Sequence, residues 1–114
     1  MIYKICSAEE WQQALRRGCF EGSEVDQRDG YIHFSTAEQV AVTAAKHFSG
    51  RSGLVLVAID ADALGPALKW EPSRGGALFP HLYAPLGTSA AIGVIVLPDT
   101  GEGRALIFAG LQSD

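Results

Sequence analysis

The sequence predicts an α+β fold, a split sheet of mixed, mostly antiparallel strands with two main helices in the first half of the chain. Two stretches before residue 50 carry apolar residues at helical spacing. Apolar runs of strand length, separated by turn residues, crowd the second half. Helices followed by strands, without a regular alternation of the two, argue against a doubly wound parallel sheet.

Length and composition limit the class of protein. A chain of 114 residues with 47% hydrophobic and 19% charged residues is expected to form a single domain over residues 1–114. The net charge of −4 and the lack of a basic stripe argue against binding to DNA or to an anionic membrane. The apolar runs are far shorter than the ~20 residues that span a bilayer. Because no signal peptide is recognisable either, we expect a cytoplasmic protein.

The two cysteines do not form a recognisable motif. Cys6 and Cys19 lack the spacing of a CxxC redox or zinc pair. We expect reduced thiols, mostly buried, and a structural disulfide is the alternative.

The first strand and the first helix have clear boundaries in the sequence. Residues 2–6 alternate in the manner of a strand. Ser7 and Glu10 have the spacing of a capping box, and Gly18 stops the apolar helical pattern. A helix is therefore predicted over residues 8–17.

A polar, irregular segment over residues 19–28 leads to a predicted turn at residues 29–30. Residues 31–34 then read as a strand, because apolar side chains alternate along it. In that strand Tyr31 and His33 share one face, which would meet a cleft or solvent if the apolar face packs inward.

The second helix is predicted over residues 37–48, with a narrow face of small residues. Two capping registers are open at its start. Ser35 pairs with Glu38 in one, and Thr36 pairs with Gln39 in the other.

The second half of the chain is predicted to be mainly strands. The run with no polar residue should be the central strand, because both of its faces must be covered. Prolines mark edge or bent strands. The predictions are a central strand at 54–59, an edge strand at 68–71, an edge or bent strand at 79–83, a buried strand at 90–97, a hairpin loop at 98–103 and its antiparallel mate at 105–109.

The strand and cap around His33 form the first candidate site. His33 precedes a helix N-terminus, where backbone N–H groups and the helix dipole favour an anion, and Ser35 and Thr36 add hydroxyl donors. The alternative is structural: the hydroxyls only cap the helix, and His33 makes one hydrogen bond to a loop carbonyl.

A second cluster contains Glu71, Arg74, His81 and Tyr83. His81 and Tyr83 fall on one side of an extended segment. Arg74 stands beside two glycines, whose backbone leaves room for a phosphate. The alternative is an edge strand whose polar residues face water.

Other functional templates are absent from the sequence. It contains neither the glycine-rich dinucleotide motif nor a P-loop nor a nucleophile elbow. The three histidines lack the i, i+4 spacing of a helical metal site, so no metal is expected.

Both candidate clusters lie in stretches that resemble a known family. Residues 29–40 (DGYIHFSTAEQV) and 76–83 (GALFPHLY) are similar to the two signatures of the small bacterial domain-of-unknown-function family 952. Members of that family have been placed with the ADP-ribosyltransferase-like fold. The resemblance therefore implies a cleft between sheet halves and makes NAD a possible ligand, whereas no cofactor follows from the residues themselves.

Two hypotheses of different classes follow. In the first, both clusters line one cleft that binds a nucleotide or another phosphate-bearing small molecule, in an ADP-ribosyltransferase-like domain. In the second, both motifs are structural, and the domain binds a protein or a metabolite without catalysis. An RNA-end enzyme is a weaker option, because RNA affinity depends on cationic contacts and the net charge of this chain is −4. The residues assigned under the first hypothesis are His33, His81 and Glu71 in catalysis and Tyr31, Ser35, Thr36, Arg74 and Tyr83 in ligand binding.

Overall fold

The computed structural model describes residues 1–112, apart from the side chain of Arg74. Short 3-10 turns supplement the main elements at Ala61–Ala67, Arg74–Gly76 and Thr88–Ala90. The helices are α1 Ala8–Arg17, α2 Glu24–Asp29, α3 Val40–His47 and α4 Gly101–Gln112. The strands are β1 Ile2–Ser7, β2 Cys19–Phe20, β3 Ile32–His33, β4 Leu54–Ile59, β5 Leu68–Pro72, β6 Leu78–Leu82, β7 Leu86–Gly87 and β8 Ala91–Val96.

The strands form three small sheets rather than one continuous sheet. Their orders are β1-β4-β8, β2-β7 and β3-β6-β5, and the strand pairs among the described residues are antiparallel. The predicted α+β class with mostly antiparallel strands is therefore confirmed.

The first strand and the first helix lie where the sequence predicts them. Ser7 Oγ accepts from the Glu10 N–H at 3.0 Å, and Glu10 Oε1 accepts from the Ser7 N–H at 2.9 Å. Both partners of the capping box are thus satisfied at the N-terminus of α1. Gly18 ends the helix in the left-handed conformation, with φ 84°.

The predicted central strand is confirmed as β4. Its side chains alternate between two cores, because successive residues of a strand point to opposite faces. Val55 and Val57 pack with Trp11 of α1. Leu54 and Leu56 pack on the other side with the side chains of α3 and α4. One strand therefore joins the two halves of the hydrophobic interior.

The strand predicted at 105–109 is wrong, because these residues belong to α4. The predicted hairpin loop at 98–103 instead leads into this helix, where the Gly103 N–H donates to Thr100 Oγ1 at 3.1 Å. Arg104 and Phe108, four residues apart, are its buried side chains. A short apolar run fits a buried strand or a helix equally well, and only packing on one face distinguishes them.

The strand predicted at 90–97 exists, but it is not buried. β8 pairs with β4 and forms the edge of its sheet. Ile92 is 58% exposed and Val96 is 77% exposed. Apolar composition predicted burial, but whether another element covers a strand depends on tertiary topology.

The prediction that residues 79–83 lie at an edge is wrong, because β6 is the central strand of its sheet. Pro80 pairs with Trp70 of β5, and its carbonyl accepts from the Phe34 N–H at 3.0 Å. In an antiparallel strand the nitrogen and carbonyl of one residue face the same neighbour. The proline nitrogen therefore faces the end of the two-residue strand β3, where the missing donor does little harm. The predicted edge strand at 68–71 is confirmed as β5.

The segment predicted to be irregular over residues 19–28 contains β2 and most of α2. The Ser23 N–H donates to the Asp26 carboxylate at 2.9 Å, which caps the start of α2. Gly30 ends this helix at φ 87°, so the predicted turn at residues 29–30 is a helix C-cap.

The second predicted helix begins later than expected. Of the two capping registers, the second forms: the Gln39 N–H donates to Thr36 Oγ1 at 3.3 Å, and Gln39 Oε1 accepts from the Thr36 N–H at 3.1 Å. Ser35 Oγ instead shares a hydrogen bond with Thr43 Oγ1 at 2.9 Å. The residues directly after Thr36 form a turn, and α3 covers only part of the predicted 37–48.

Cys6 and Cys19 are both free thiols, as predicted. Cys6 is buried, and burial raises the pKa of its thiol to about 12. Within residues 1–112 we find no helix with the length and apolarity needed to cross a membrane.

Gly103 and Gly110 offer a paired test of helix α4. A Cβ at Gly103 would lie 2.7 Å from Pro98 Cβ and 2.9 Å from Thr100 Oγ1, whereas a Cβ at Gly110 would meet nothing within 4 Å. We expect Gly103→Ala to lower the free energy of unfolding by about 1–3 kcal/mol through overpacking. Gly110→Ala should raise it by up to about 1 kcal/mol through helix propensity. Urea denaturation measures both, and a stabilising Gly103→Ala would contradict this packing.

Candidate functional site

The candidate site is built around a buried carboxylate, that of Asp26. Its side chain is 1% exposed and lies 2.7 Å and 2.9 Å from Lys4 Nζ through its two oxygens. The Ser23 N–H and hydroxyl also donate to it, at 2.9 Å and 3.0 Å. The backbone N–H of His33 donates to it at 3.1 Å. This one side chain therefore connects β1, α2 and β3.

These partners keep Asp26 ionised. Burial by itself raises the pKa of a carboxyl. At Asp26 the hydrogen bond from the His33 ring and the charge of Lys4 outweigh burial, and they hold its pKa well below the usual range. The interior of the site thus contains a fixed negative charge next to a fixed positive one.

His33 lies between two carboxylates. Its Nδ1 is 2.6 Å from Asp26 Oδ1, and its Nε2 is 2.9 Å from Asp29 Oδ2. Ionised carboxylates only accept hydrogen bonds, so a protonated imidazole would donate from both ring nitrogens, one to each carboxylate. The hydrogen bond from Arg28 to Asp29 lowers the pKa of the Asp29 carboxyl, which keeps this partner ionised as well.

The ring of Tyr31 packs against both histidines, which are paired across strands β3 and β6. This ring stacks on His81 with centroids 4.1 Å apart and planes inclined by 22°, and it meets the His33 ring at 4.6 Å. The two imidazole centroids are 5.6 Å apart. Tyr31 and His33 thus share a face of the chain, as the alternation predicted, although β3 is shorter than the predicted strand at 31–34.

His81 is paired with a carboxylate of its own. Its Nδ1 is 2.8 Å from Glu71 Oε1, and the Tyr83 hydroxyl donates to the same oxygen at 2.6 Å. These hydrogen bonds, from Tyr83 first and His81 second, lower the pKa of the Glu71 carboxyl. The bond to Glu71 raises the pKa of Tyr83 to about 12.

The second nitrogen of His81 is unusual. His81 is 4% exposed, and its Nε2 has no hydrogen-bond partner among the described residues. Buried polar atoms are normally satisfied. In the neutral tautomer that donates from Nδ1 to Glu71, Nε2 carries a lone pair and can accept a hydrogen bond or a proton.

The two histidine stretches meet at one cleft of about 580 Å³. Its walls combine aromatic rings, hydroxyls and basic side chains. Of the predicted site residues, Tyr31, His33, Ser35 and His81 line this cleft. Glu71 and Tyr83 do not line it. Glu71 is hydrogen-bonded to His81, and Tyr83 is hydrogen-bonded to Glu71. Thr36 is engaged in the cap before α3, and the predicted role of the Arg74 side chain lies outside the described residues.

Sequence reasoning missed several charged residues that line the cleft or are bonded to its wall. Lys46 and Arg51 line it as cations and take part in none of the ion pairs among the described residues. Asp26 was assigned to an irregular loop. A Ser followed three residues later by an acid, as at Ser23, signals a helix start and was the available clue.

Within the described part of the chain, no group of three or more His, Cys, Asp or Glu side chains is placed to hold a metal ion. The carboxylates near the histidines are occupied by hydrogen bonds to imidazole, lysine, arginine or tyrosine.

Asp26→Asn should destabilise the protein strongly, because it leaves Lys4 charged and buried. We expect a loss of about 3–5 kcal/mol in the free energy of unfolding. The double variant Lys4→Met/Asp26→Asn should lose less than the single one, because no buried charge is left without its counter-charge. Chemical denaturation of both variants and of Lys4→Met measures the coupling, and additive losses would rule out an energetically important pair.

The same carboxylate predicts a pH dependence. The pKa of Asp26 is lower in the folded than in the unfolded chain, so its stabilising effect is present above about pH 4, the unfolded value. The effect is lost as the pH falls from there toward the folded pKa. Denaturation between pH 3 and pH 7 should therefore show a steeper acid loss for the wild type than for Lys4→Met/Asp26→Asn. Parallel curves would contradict this.

Solved structures with similar sequences share this fold. The chain is 50% identical to protein CC0527 from Caulobacter crescentus in its crystal structure, with a TM-score of 0.89 over 95% of this chain and 97% of that one. The solution NMR structure of CC0527 matches at 53% identity with a TM-score of 0.79, over 90% and 88% of the two chains. None of the curated proteins matches significantly.

The sequence model of one family matches most of the chain. It covers residues 5–94, which contain both stretches that line the cleft. The chain therefore belongs to the family described as "Protein of unknown function (DUF952)".

Proposed function

We propose that the cleft between the His33 and His81 stretches binds a nucleotide or another phosphate-bearing small molecule. The observation that carries this proposal is the buried ring of His81, which lines the cleft with one nitrogen held by Glu71 and the other without a hydrogen-bond partner among the described residues. A ligand hydroxyl or N–H group would satisfy that nitrogen and remove the cost of burying it without a partner.

The size and lining of the cleft fit such a ligand. Its volume of about 580 Å³ lies within the roughly 300–1,000 Å³ typical of small-molecule sites. Phe34 and Phe79 supply apolar surface, and Ser35 and Thr43 supply hydroxyl groups. Apolar walls with a few convergent polar groups are typical of sites that bind a heterocyclic base and a sugar.

Phosphate recognition would come from the basic rim. Lys46 and Arg51 face the cleft without a carboxylate partner among the described residues, and a protonated His33, held by Asp26, would add a third cation. Cations of this kind form charge-assisted hydrogen bonds with phosphate oxygens. The rim is therefore locally basic on a chain whose net charge is −4.

Under the ADP-ribosyltransferase-like hypothesis, the ligand is NAD or another compound that contains ADP-ribose. NAD would supply an ADP-ribosyl group with nicotinamide as the leaving group. The lining residues fit it in kind, because the cleft has apolar surface for a base, cations for phosphates and a histidine acceptor for a ribose hydroxyl. In this reading His33 and His81 hold the ligand, and Glu71 acts through His81 to orient a ribose hydroxyl.

The two histidines would then have different chemical roles. The ring of His33 is held by Asp26 through one nitrogen and by Asp29 through the other, so when protonated it would act as a positive charge fixed in position. His81 has one nitrogen fixed by Glu71 and the other able to accept, so it is the candidate general base. A carboxylate behind a histidine stabilises the tautomer that this role requires.

A second candidate function is a binding domain without catalysis. The observation that favours it is that His33, on one side of the cleft, has both nitrogens already paired within the protein. The His33 motif would then be structural, and the cleft would bind a metabolite through its remaining groups alone.

Calorimetric titration with ADP-ribose, NAD, ADP and adenosine tests the proposal. We expect the phosphate-bearing compounds to bind and adenosine to bind more weakly, because it lacks the groups that the rim recognises. If none of them binds at millimolar concentration, the nucleotide proposal is wrong. Release of nicotinamide from NAD, followed by chromatography, separates an enzyme from a binding domain.

Variants on the His81 side give a sharper prediction. His81→Ala should weaken binding of ADP-ribose by about tenfold, because a ligand group loses its buried acceptor. Glu71→Gln should also weaken it, because the amide can fix the wrong tautomer of His81. Tyr83→Phe is the matched control, since it removes a hydroxyl from the same carboxylate and leaves the Glu71–His81 contact in place. Equal affinities for wild type and His81→Ala would exclude this role.

A further inference from the structure

Helix α4 places one arginine in the protein interior. Arg104 is 6% exposed. Its Nε donates to the Pro98 carbonyl at 2.7 Å, its Nη1 donates to the Phe48 carbonyl at 2.9 Å, and its Nη2 donates to the Arg51 carbonyl. A single guanidinium thus joins α4 to the segment that follows α3.

The environment of this cation is not that of an ordinary ion pair. None of the ion pairs among the described residues includes Arg104, and its charge is compensated by carbonyl dipoles. One of them belongs to Phe48, the C-cap of α3, where the helix dipole favours a positive charge.

An arginine bound in this way constrains backbone geometry. Its donors lie in one rigid plane, so its three carbonyl partners can be satisfied together in only a narrow range of positions. A buried charge is costly, and an apolar side chain of similar size is often as good for stability alone. The specific effect of Arg104 is therefore to hold the backbone of residues 48–51 in place.

That segment forms part of the cleft wall. Phe48 and Arg51 both line the cleft, and the Arg51 guanidinium lies 4.9 Å above the centre of the Phe48 ring. The carbonyls of these same two residues are the ones that Arg104 binds. The backbone at both members of this cation–ring pair is thus held from behind by α4.

We propose that Arg104 is a positioning residue for the phosphate-binding rim, which it serves by holding Arg51 at the cleft. This role rests on the proposed function, because Arg51 contributes to binding only if the cleft takes a phosphate-bearing ligand. Arg104 itself lies behind the wall and does not touch the ligand. Preorganising the rim removes part of the ordering cost that binding would otherwise carry.

The test uses the full chain with the substitutions Arg104→Lys, Arg51→Gln and the two combined. Lysine keeps the charge but cannot reproduce the planar set of donors. We expect Arg104→Lys and Arg51→Gln each to weaken ADP-ribose binding by about tenfold in calorimetry, while adenosine affinity changes by less than about twofold. The double variant should be no weaker than Arg51→Gln alone, because both act through the same cation. Arg17→Gln on α1 is the charge control and should leave ADP-ribose affinity unchanged.

The outcomes separate this inference from the proposed function. If wild type binds ADP-ribose and Arg104→Lys lowers the melting temperature without weakening binding, Arg104 is merely structural and the inference fails alone. Additive losses in the double variant also overturn it, because the two residues then act independently. If wild type binds no phosphate-bearing compound, both proposals fail. Should Arg104→Lys not fold, Arg51→Gln decides by itself: unchanged affinity for ADP-ribose overturns the inference.

Discussion

The buried pair of Asp26 and Lys4 is the interaction on which the candidate site depends. A carboxylate and an ammonium group removed from water are stable only when geometry and additional hydrogen bonds offset their lost hydration. Here Ser23 and His33 supply those additional bonds. Because the four residues come from β1, α2, β3 and the loop before α2, satisfying one carboxylate also fixes how these elements meet.

This constraint extends to the chemistry of the cleft. Asp26 holds one side of the His33 ring and Asp29 the other, so both nitrogens of that imidazole are engaged within the protein. His81, whose ring stacks on Tyr31, has one carboxylate partner, and its Nε2 has no hydrogen-bond partner among the residues that the structure describes. The two histidines, which the sequence did not distinguish, therefore differ in the hydrogen bonds that their rings can make, because their neighbours differ in number and position.

The parts of the fold that were predictable share a local cause. The capping box at Ser7, the glycine stop at Gly18 and the apolar run of β4 each depend on residues adjacent in sequence. The errors have a non-local cause. Whether residues 105–109 form a strand or a helix, and whether β8 is covered, depends on which surface each apolar run meets. For Pro80 the deciding factor was the end of β3 beside it, which no local pattern specifies.

The sequence by itself determined the α+β class, the first helix, the central strand and the family, and it singled out His33 and His81 as members of two distinctive stretches. Only the tertiary structure decided that both histidines line one cleft, that Asp26 rather than a loop carbonyl pairs with His33, and that Lys46 and Arg51 form its basic rim. The physical reason is distance along the chain. Helix caps and strand alternation act within a few residues, whereas the contact of Lys4 with Asp26 and that of Arg104 with Phe48 join residues 22 and 56 positions apart.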